Sequence, residues 1–143
     1  MSTPDLAGRW DIVSWEQRYE DGRVMAPLGP DLRGMLLYTP EGNMSVFISR
    51  AGRPPFAGGR QFGASAEEKA QAYQTVLSYA GRYVVRGDLV EHHIEVSLFP
   101  NWEGQVQKRQ FSLDGDTLAI VASLEQGTPE ARKAVLEWKR RQA

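Results

Sequence analysis

A chain of 143 residues, 41% hydrophobic and 24% charged, suits one domain with a substantial core, since a chain near 150 residues buries roughly 70% of its unfolded surface; disorder and collagen-like repeats are excluded. Its 17 basic and 18 acidic residues alternate to a net charge of -1, so no nucleic-acid partner is expected, and the short Lys139, Arg140, Arg141 run reads as a solvated chain end. The lack of cysteine removes disulfides, thiolate nucleophiles and Cys-ligated zinc together.

The first residues, MSTPDLAGRW, carry neither a basic n-region nor an apolar run, and no stretch approaches the roughly 18 apolar residues of a membrane span. The expectation is a cytoplasmic protein with no membrane partner, in which the sequon at Asn43 is idle. Turn signals then recur at Glu20-Asp21-Gly22, Pro40-Glu41-Gly42-Asn43, Gly87-Asp88, Asn101-Trp102-Glu103-Gly104 and Asp114-Gly115, the spacing of a β-meander. Runs rich in β-branched and aromatic residues between them predict strands over roughly 9 to 19, 34 to 39, 43 to 49, 79 to 86, 89 to 98, 106 to 113, 116 to 123 and 134 to 141. Residues 51 to 63 are rich in Gly and Pro and predict an irregular loop. Ser65 with Glu68 forms a capping box, which starts one helix over about 65 to 77.

Three hairpins test each other, because opposed residues of an antiparallel pair share a face. A two-residue turn at Gly87-Asp88 pairs Arg86 with Leu89, Val85 with Val90 and Tyr83 with His92. In the next hairpin, Glu95 opposite Lys108 also sets Ile94 against Arg109 and Val96 against Gln107. A turn at Asp114-Gly115 sets Phe111 against Leu118, Arg109 against Ile120 and Gln107 against Ala122. One face then carries Tyr83, Val85, Val90, His92, Ile94, Val96, Leu98, Phe111, Leu113, Leu118 and Ile120, with Gln107 and Arg109 among them. The other carries Arg82, Arg86, Glu91, His93, Glu95, Lys108 and Gln110 and is expected to be wet. About eight antiparallel strands with one apolar face predict a mainly all-β protein, a closed up-and-down β-barrel, in a single domain over 1-143. A barrel of that size has room for one small ligand. A cone-shaped α+β fold stays as the alternative architecture.

Gly8-Arg9-Trp10 matches the G-x-W signature of lipocalins. Three longer strings, LAGRWDIVSW, GMLLYTPEGNMSV and YAGRYVVRGDLVEHHIEVSLFPNWEGQVQKRQFSLDGDTL, resemble the lipocalin-like domain proteins of bacteria and fungi, short intracellular relatives of the lipocalins. The resemblance covers most of the chain. It implies a closed barrel with an internal cavity and a Trp plugging the closed end. Relatives with such barrels bind small apolar molecules, and some lipocalin-like proteins act in natural-product pathways as cofactor-free cyclases or isomerases. No family catalytic motif carries over residue by residue. Against secreted lipocalins, no signal peptide is expected from the first residues, the chain has no cysteines, and its helix is expected mid-chain.

The adjacent His92 and His93 point to opposite sides of one strand and do not chelate one metal. His93 and Glu95 share a face about 7 Å apart, but no further histidine completes a site, so no metal is expected. His92 is placed inward, opposite Tyr83. It is either a core histidine satisfied by Tyr83 or water, or a ligand partner and candidate general base. An inward Arg109 needs an anionic or strongly accepting partner, whether protein, ligand carboxylate or ligand carbonyl, and is the second catalytic candidate. Gln107, Tyr38 and Tyr83 suit a cavity wall as well as ordinary packing, and Trp102 is placed at a barrel mouth or floor. Arg50, Arg53 and Arg60 form either a portal for anions or a solvated loop. Neither GGRQFG nor any G-x-S-x-G supports nucleotide binding or a nucleophile elbow, and no cofactor is expected.

The expectation is therefore a barrel that binds a small, largely apolar, aromatic or polyketide-like molecule, with Tyr83, His92, Gln107 and Arg109 at its polar end and Tyr38 and Trp102 at its wall. Two alternatives stand beside it. One is a cofactor-independent isomerase or cyclase in which His92 or Arg109 moves a proton or stabilises an enolate. The other is a structural homodimer whose barrel is filled by side chains.

Overall fold

The computed structural model describes residues 5–142; residues 1–4 and 143 of the expected domain lie outside the described residues. Nine strands form one antiparallel sheet in the order β2-β1-β3-β4-β5-β6-β7-β8-β9. They are β1 (Gly8–Tyr19), β2 (Val24–Met25), β3 (Leu32–Tyr38), β4 (Asn43–Arg50), β5 (Val76–Arg86), β6 (Leu89–Ser97), β7 (Val106–Asp114), β8 (Thr117–Leu124) and β9 (Arg132–Arg140). β1 also pairs with β9, from Trp10 with Arg140 to Tyr19 with Arg132, so the meander closes into an eight-stranded barrel. β2 is a two-residue appendage on the end of β1. Closure leaves the eight barrel strands paired on both sides over most of their length, which removes the edges an open sheet would offer. No helix of the described residues is long and apolar enough to cross a membrane.

The β5–β6 hairpin has the expected register, with Tyr83 opposite His92 around Gly87-Asp88. The two later registers are corrected. In β7–β8, Asp114 pairs with Thr117 and Phe111 with Ile120, so the turn is Gly115-Asp116, not Asp114-Gly115. Gly115 takes φ 59 at the first turn position, as Gly87 does with φ 62; glycine there adopts positive φ at no steric cost. In β6–β7, Lys108 faces Glu91 instead of Glu95, Gln107 faces His92, and Arg109 faces Val90. The slips are of two and four residues. Even slips leave every side chain on its face, since strand side chains alternate with period two, so Gln107 and Arg109 still point inward.

Two bulges break that parity. In β6 Gly81 pairs with Ile94 and Ala80 with Val96, leaving Glu95 as the extra residue. Val96 and Leu98, expected inside, are therefore turned outward, and Val96 is 59% exposed. Gly81 is what admits the bulge: a Cβ there would sit 2.0 Å from the His93 carbonyl oxygen. In β1 the shift between Ile12 and Ser14 makes Val13 the extra residue, moving the inward positions from Trp10 and Ile12 to Trp15 and Gln17.

One end of the barrel is packed solid. Trp10 is 0% exposed, donates from its indole to the Leu6 carbonyl at 2.9 Å, and lies under the Arg140 guanidinium at 4.2 Å. Leu36, Tyr38, Met44, Val90, Leu118 and Trp138 complete this core. The helix α1 (Ala66–Gln74) starts at the Ser65–Glu68 capping box and buries none of its residues, so it rests on the outside. It stops short of the expected Leu77 because Thr75, bonding the Gln71 and Ala72 carbonyls, ends it. Val76 then pairs with Ser49 in the sheet, where β-branched residues are better placed.

A candidate ligand cavity inside the barrel

Away from the Trp10 plug a partly open cavity of about 190 Å³ lies inside the barrel. Its wall is mainly apolar and aromatic: Trp15, Leu36, Val46, Leu77, Trp102, Ile120, Ala122, Leu124, Ala134, Leu136 and Trp138. Its polar groups are Gln17, Tyr79, His92, Gln107 and Arg109. An outer hollow of about 260 Å³ between Pro27, Leu28, Tyr73 and Phe99 shares Trp15, Leu77 and Trp102 with it. Larger concavities, of about 880 and 630 Å³, run over the outer surface and share no residue with this wall.

His92 reaches the inside because the tight β5–β6 turn fixes the register of β6. It is 3% exposed and hydrogen-bonded at both nitrogens, to the Tyr38 hydroxyl at 2.6 Å and the Tyr79 hydroxyl at 2.7 Å. Burial, with the Arg109 charge adding to it, lowers its pKa to about 3, so the ring is neutral at ordinary pH. Burial raises the pKa of Tyr38 and of Tyr79. A neutral imidazole has one N–H and one lone pair, so one tyrosine donates to it and the other accepts from it. Tyr38 is buried beneath the cavity with no further hydrogen-bond partner, and stranding its O–H there would cost about 1–3 kcal/mol. The network therefore assigns the Tyr38 O–H as donor to Nε2 and the His92 Nδ1–H as donor to Tyr79, which leaves the Tyr79 O–H free at the cavity wall.

Arg109 lines the same cavity from β7. Its Nη1 donates to the Lys108 carbonyl at 3.1 Å, and among the described residues no carboxylate pairs with it; burial lowers its pKa. The buried indole N–H groups of Trp15 and Trp138, both at this wall, also lack a partner.

Four of the expected site residues, His92, Trp102, Gln107 and Arg109, thus border one cavity. Tyr83 does not. It pairs with His92 across the strands, but its hydroxyl donates to the Thr39 carbonyl at 2.7 Å, so it does not satisfy the histidine. Tyr38 is a support under His92 and not part of the wall. Trp102, in a 3-10 turn at Pro100–Trp102, packs edge-on against Tyr79 and Phe99 between the cavity and the hollow. Arg50 and Arg53 bond the Leu28 carbonyl and the helix end, and neither they nor Arg60 border the cavity. His93 faces outward and bonds Glu91 at 3.1 Å, and the Glu91 pKa is lowered first by that bond; Glu95 lies near Arg82 instead of Lys108. Among the described residues no three His, Asp or Glu side chains gather as a metal site.

Tyr79 was missed by sequence reasoning, although strand alternation places 79 on the face of 83. Trp15, Gln17 and Trp138 were also missed. For the first two the reason is physical: the Val13 bulge breaks the alternation that starts from Trp10.

A family model described as a lipocalin-like domain matches residues 7–141. The chain is 33% identical over 85 residues to the 4'-hydroxy-3'-methoxypropiophenone carrier protein of Aspergillus oryzae (strain ATCC 42149 / RIB 40), covering 54% of this chain and 77% of that one. Among solved structures, a lipocalin-like protein from Bacteroides uniformis ATCC 8492 aligns over 96% of this chain and 100% of its own at 14% identity, with a TM-score of 0.49. An uncharacterized protein from Bacteroides eggerthii DSM 20697 aligns over 93% of this chain and 98% of its own at 13% identity, with a TM-score of 0.47.

Proposed function

The chain belongs to the lipocalin-like domain family, and from that premise we propose that it binds and carries a small aromatic molecule in its barrel. The observation that carries this reading is the cavity of about 190 Å³, walled by apolar and aromatic side chains with polar groups gathered around His92 and Arg109. An apolar cavity of roughly 150 Å³ accepts one benzene ring, so this one suits a single substituted ring, with the outer hollow left for a short chain. A multi-ring polyketide would not fit without movement of the wall. The relative from Aspergillus oryzae is named as the carrier of a propiophenone, a one-ring aryl ketone, which agrees with that size.

The geometry favours carriage over turnover. A general base works best with a free lone pair and a pKa near the operating pH. His92 has both nitrogens engaged and a pKa lowered to about 3 by burial, and both tyrosines are pushed the other way. Isomerisation or cyclisation would then fall to Arg109 alone.

Titration with 4'-hydroxy-3'-methoxypropiophenone and simple acetophenones tests the reading, since Trp15, Trp102 and Trp138 at the wall report on occupancy by fluorescence. A saturable one-site quench is expected, with ligand recovered unchanged. In Ala122→Leu the added side chain fills the cavity and weakens binding at least about tenfold, or about 1.4 kcal/mol. Absence of binding across the panel by calorimetry, or binding indifferent to Ala122→Leu, would remove the carrier function. Chemical conversion of the ligand would favour the enzyme.

A further inference from the structure

We propose that the cavity selects the anionic form of its ligand, an aromatic phenolate or carboxylate in preference to the neutral acid. This rests on the carrier function above and specifies the chemistry of its polar end.

Among the described residues Arg109 is the only formally charged group lining the cavity. Its hydrogen bond goes to a backbone carbonyl, and among the described residues every ion pair joins other side chains. A guanidinium cannot shed its charge, so the free protein holds a half-buried cation without a counter-charge. The groups around it do not supply one. From β5 comes Tyr79, whose hydroxyl is bonded to His92 Nδ1, and from β6 comes a neutral His92. From β1 and β8 come no ionisable side chains, and from β9 comes only a second cation at the edge of the wall, Arg132, which bonds the Gln17 amide oxygen at 2.8 Å and is paired with Glu125. The indole N–H groups of Trp15 and Trp138 add two more unpartnered donors. The acceptor facing the cavity is the amide oxygen of Gln107, since that of Gln17 already accepts from Arg132 Nε at 2.8 Å.

Such a wall is mismatched to a neutral phenol, which brings a donor of its own to a donor-rich site. A phenolate or carboxylate brings only lone pairs. It accepts charge-assisted hydrogen bonds, roughly twice as strong as neutral ones, in surroundings where low dielectric strengthens the attraction to Arg109. Part of the cation's desolvation is already borne by the free protein, which lowers what remains to be met on binding. The proton lost by the ligand passes to the buffer.

The probes are p-nitrophenol, whose phenolate is read directly by absorbance, and its neutral methyl ether p-nitroanisole, which has no proton to lose. Bound p-nitrophenol should titrate at least about one pH unit below the free compound, an about tenfold shift in ionisation. Between the bound and free pKa values, binding should release a proton, seen by calorimetry in buffers of different ionisation enthalpy. The shift should vanish in Arg109→Met and persist in Lys108→Met, which removes an exposed charge on the outer face. Binding of p-nitrophenol with an unshifted or raised pKa, or a shift that survives Arg109→Met, overturns the proposal. If p-nitroanisole binds while the phenol titrates normally, the carrier function stands and the anion preference falls. If neither probe enters, both fall.

Discussion

At the scale of single residues, His92 sets the pH behaviour of the fold. Its pKa is depressed by burial from 6.5 to about 3, so between those values the unfolded chain binds a proton that the native chain refuses. Stability must therefore fall as pH falls through that window. Glu68 and Glu91 have pKa values lowered from 4.5, first by the Ala57 backbone N–H and by His93, and their contributions are lost only below that range. The interval from pH 6.5 to 4.5 thus isolates the histidine. Urea unfolding should show stability falling toward a limiting slope of about 1.4 kcal/mol per pH unit across it, with that component absent in His92→Gln. Nitrogen NMR of the native imidazole should show an Nδ1–H tautomer unchanged to pH 4.5; protonation near 6 would contradict the assignment. The sequence announced an inward His92 through one tight turn. It did not announce its partners, because Tyr38 and Tyr79 arrive from strands far from it in the meander or displaced along it.

At the scale of elements, the bulge at Glu95 decides which side chains reach the cavity. Before it, β6 turns His92 and Ile94 inward; after it, Val96 and Leu98 face water and the chain leaves for the loop that carries Trp102. Gly81 opposite the bulge cannot take a Cβ without meeting the His93 carbonyl at 2.0 Å and the Glu95 nitrogen at 3.0 Å. Gly81→Ala should therefore destabilise by more than about 2 kcal/mol, with the loss centred on β5 and β6 in hydrogen exchange. Gly22→Ala has open space around its Cβ and only a strained φ of 95, so it should cost less, about 1–2 kcal/mol. Equal effects would mean the close approach is not what the glycine serves. Bulges escaped sequence reasoning because nothing in the alternation of Val, Glu and His marks the extra residue.

At the scale of the molecule, pairing of β1 with β9 closes the barrel and gives its two ends different work. The Trp10 end is packed, and the end near Trp102 holds the hollow. Trp10→Ala should cost about 3–5 kcal/mol, as large-to-small changes in packed cores do, with a matching fall in melting temperature. Trp102→Ala, at a half-exposed site, should cost far less stability and instead speed ligand release in stopped-flow fluorescence. A Trp102→Ala protein that melts as early as Trp10→Ala would show that Trp102 belongs to the core. What the sequence by itself determined was the class of fold, the closure and the faces of most residues in the hairpins from β5 to β8, apart from Val96, Leu98 and the buried Glu91. Those follow from local turn chemistry and a period of two, which survives even register slips such as those of β6–β7 and β7–β8. Only the tertiary structure decided that His92 is held between Tyr38 and Tyr79, that Tyr83 turns away to Thr39, and that Arg109 stands at the cavity with no carboxylate among the described residues beside it. These are meetings between strands set by bulges and closure, and no stretch of sequence encodes them alone.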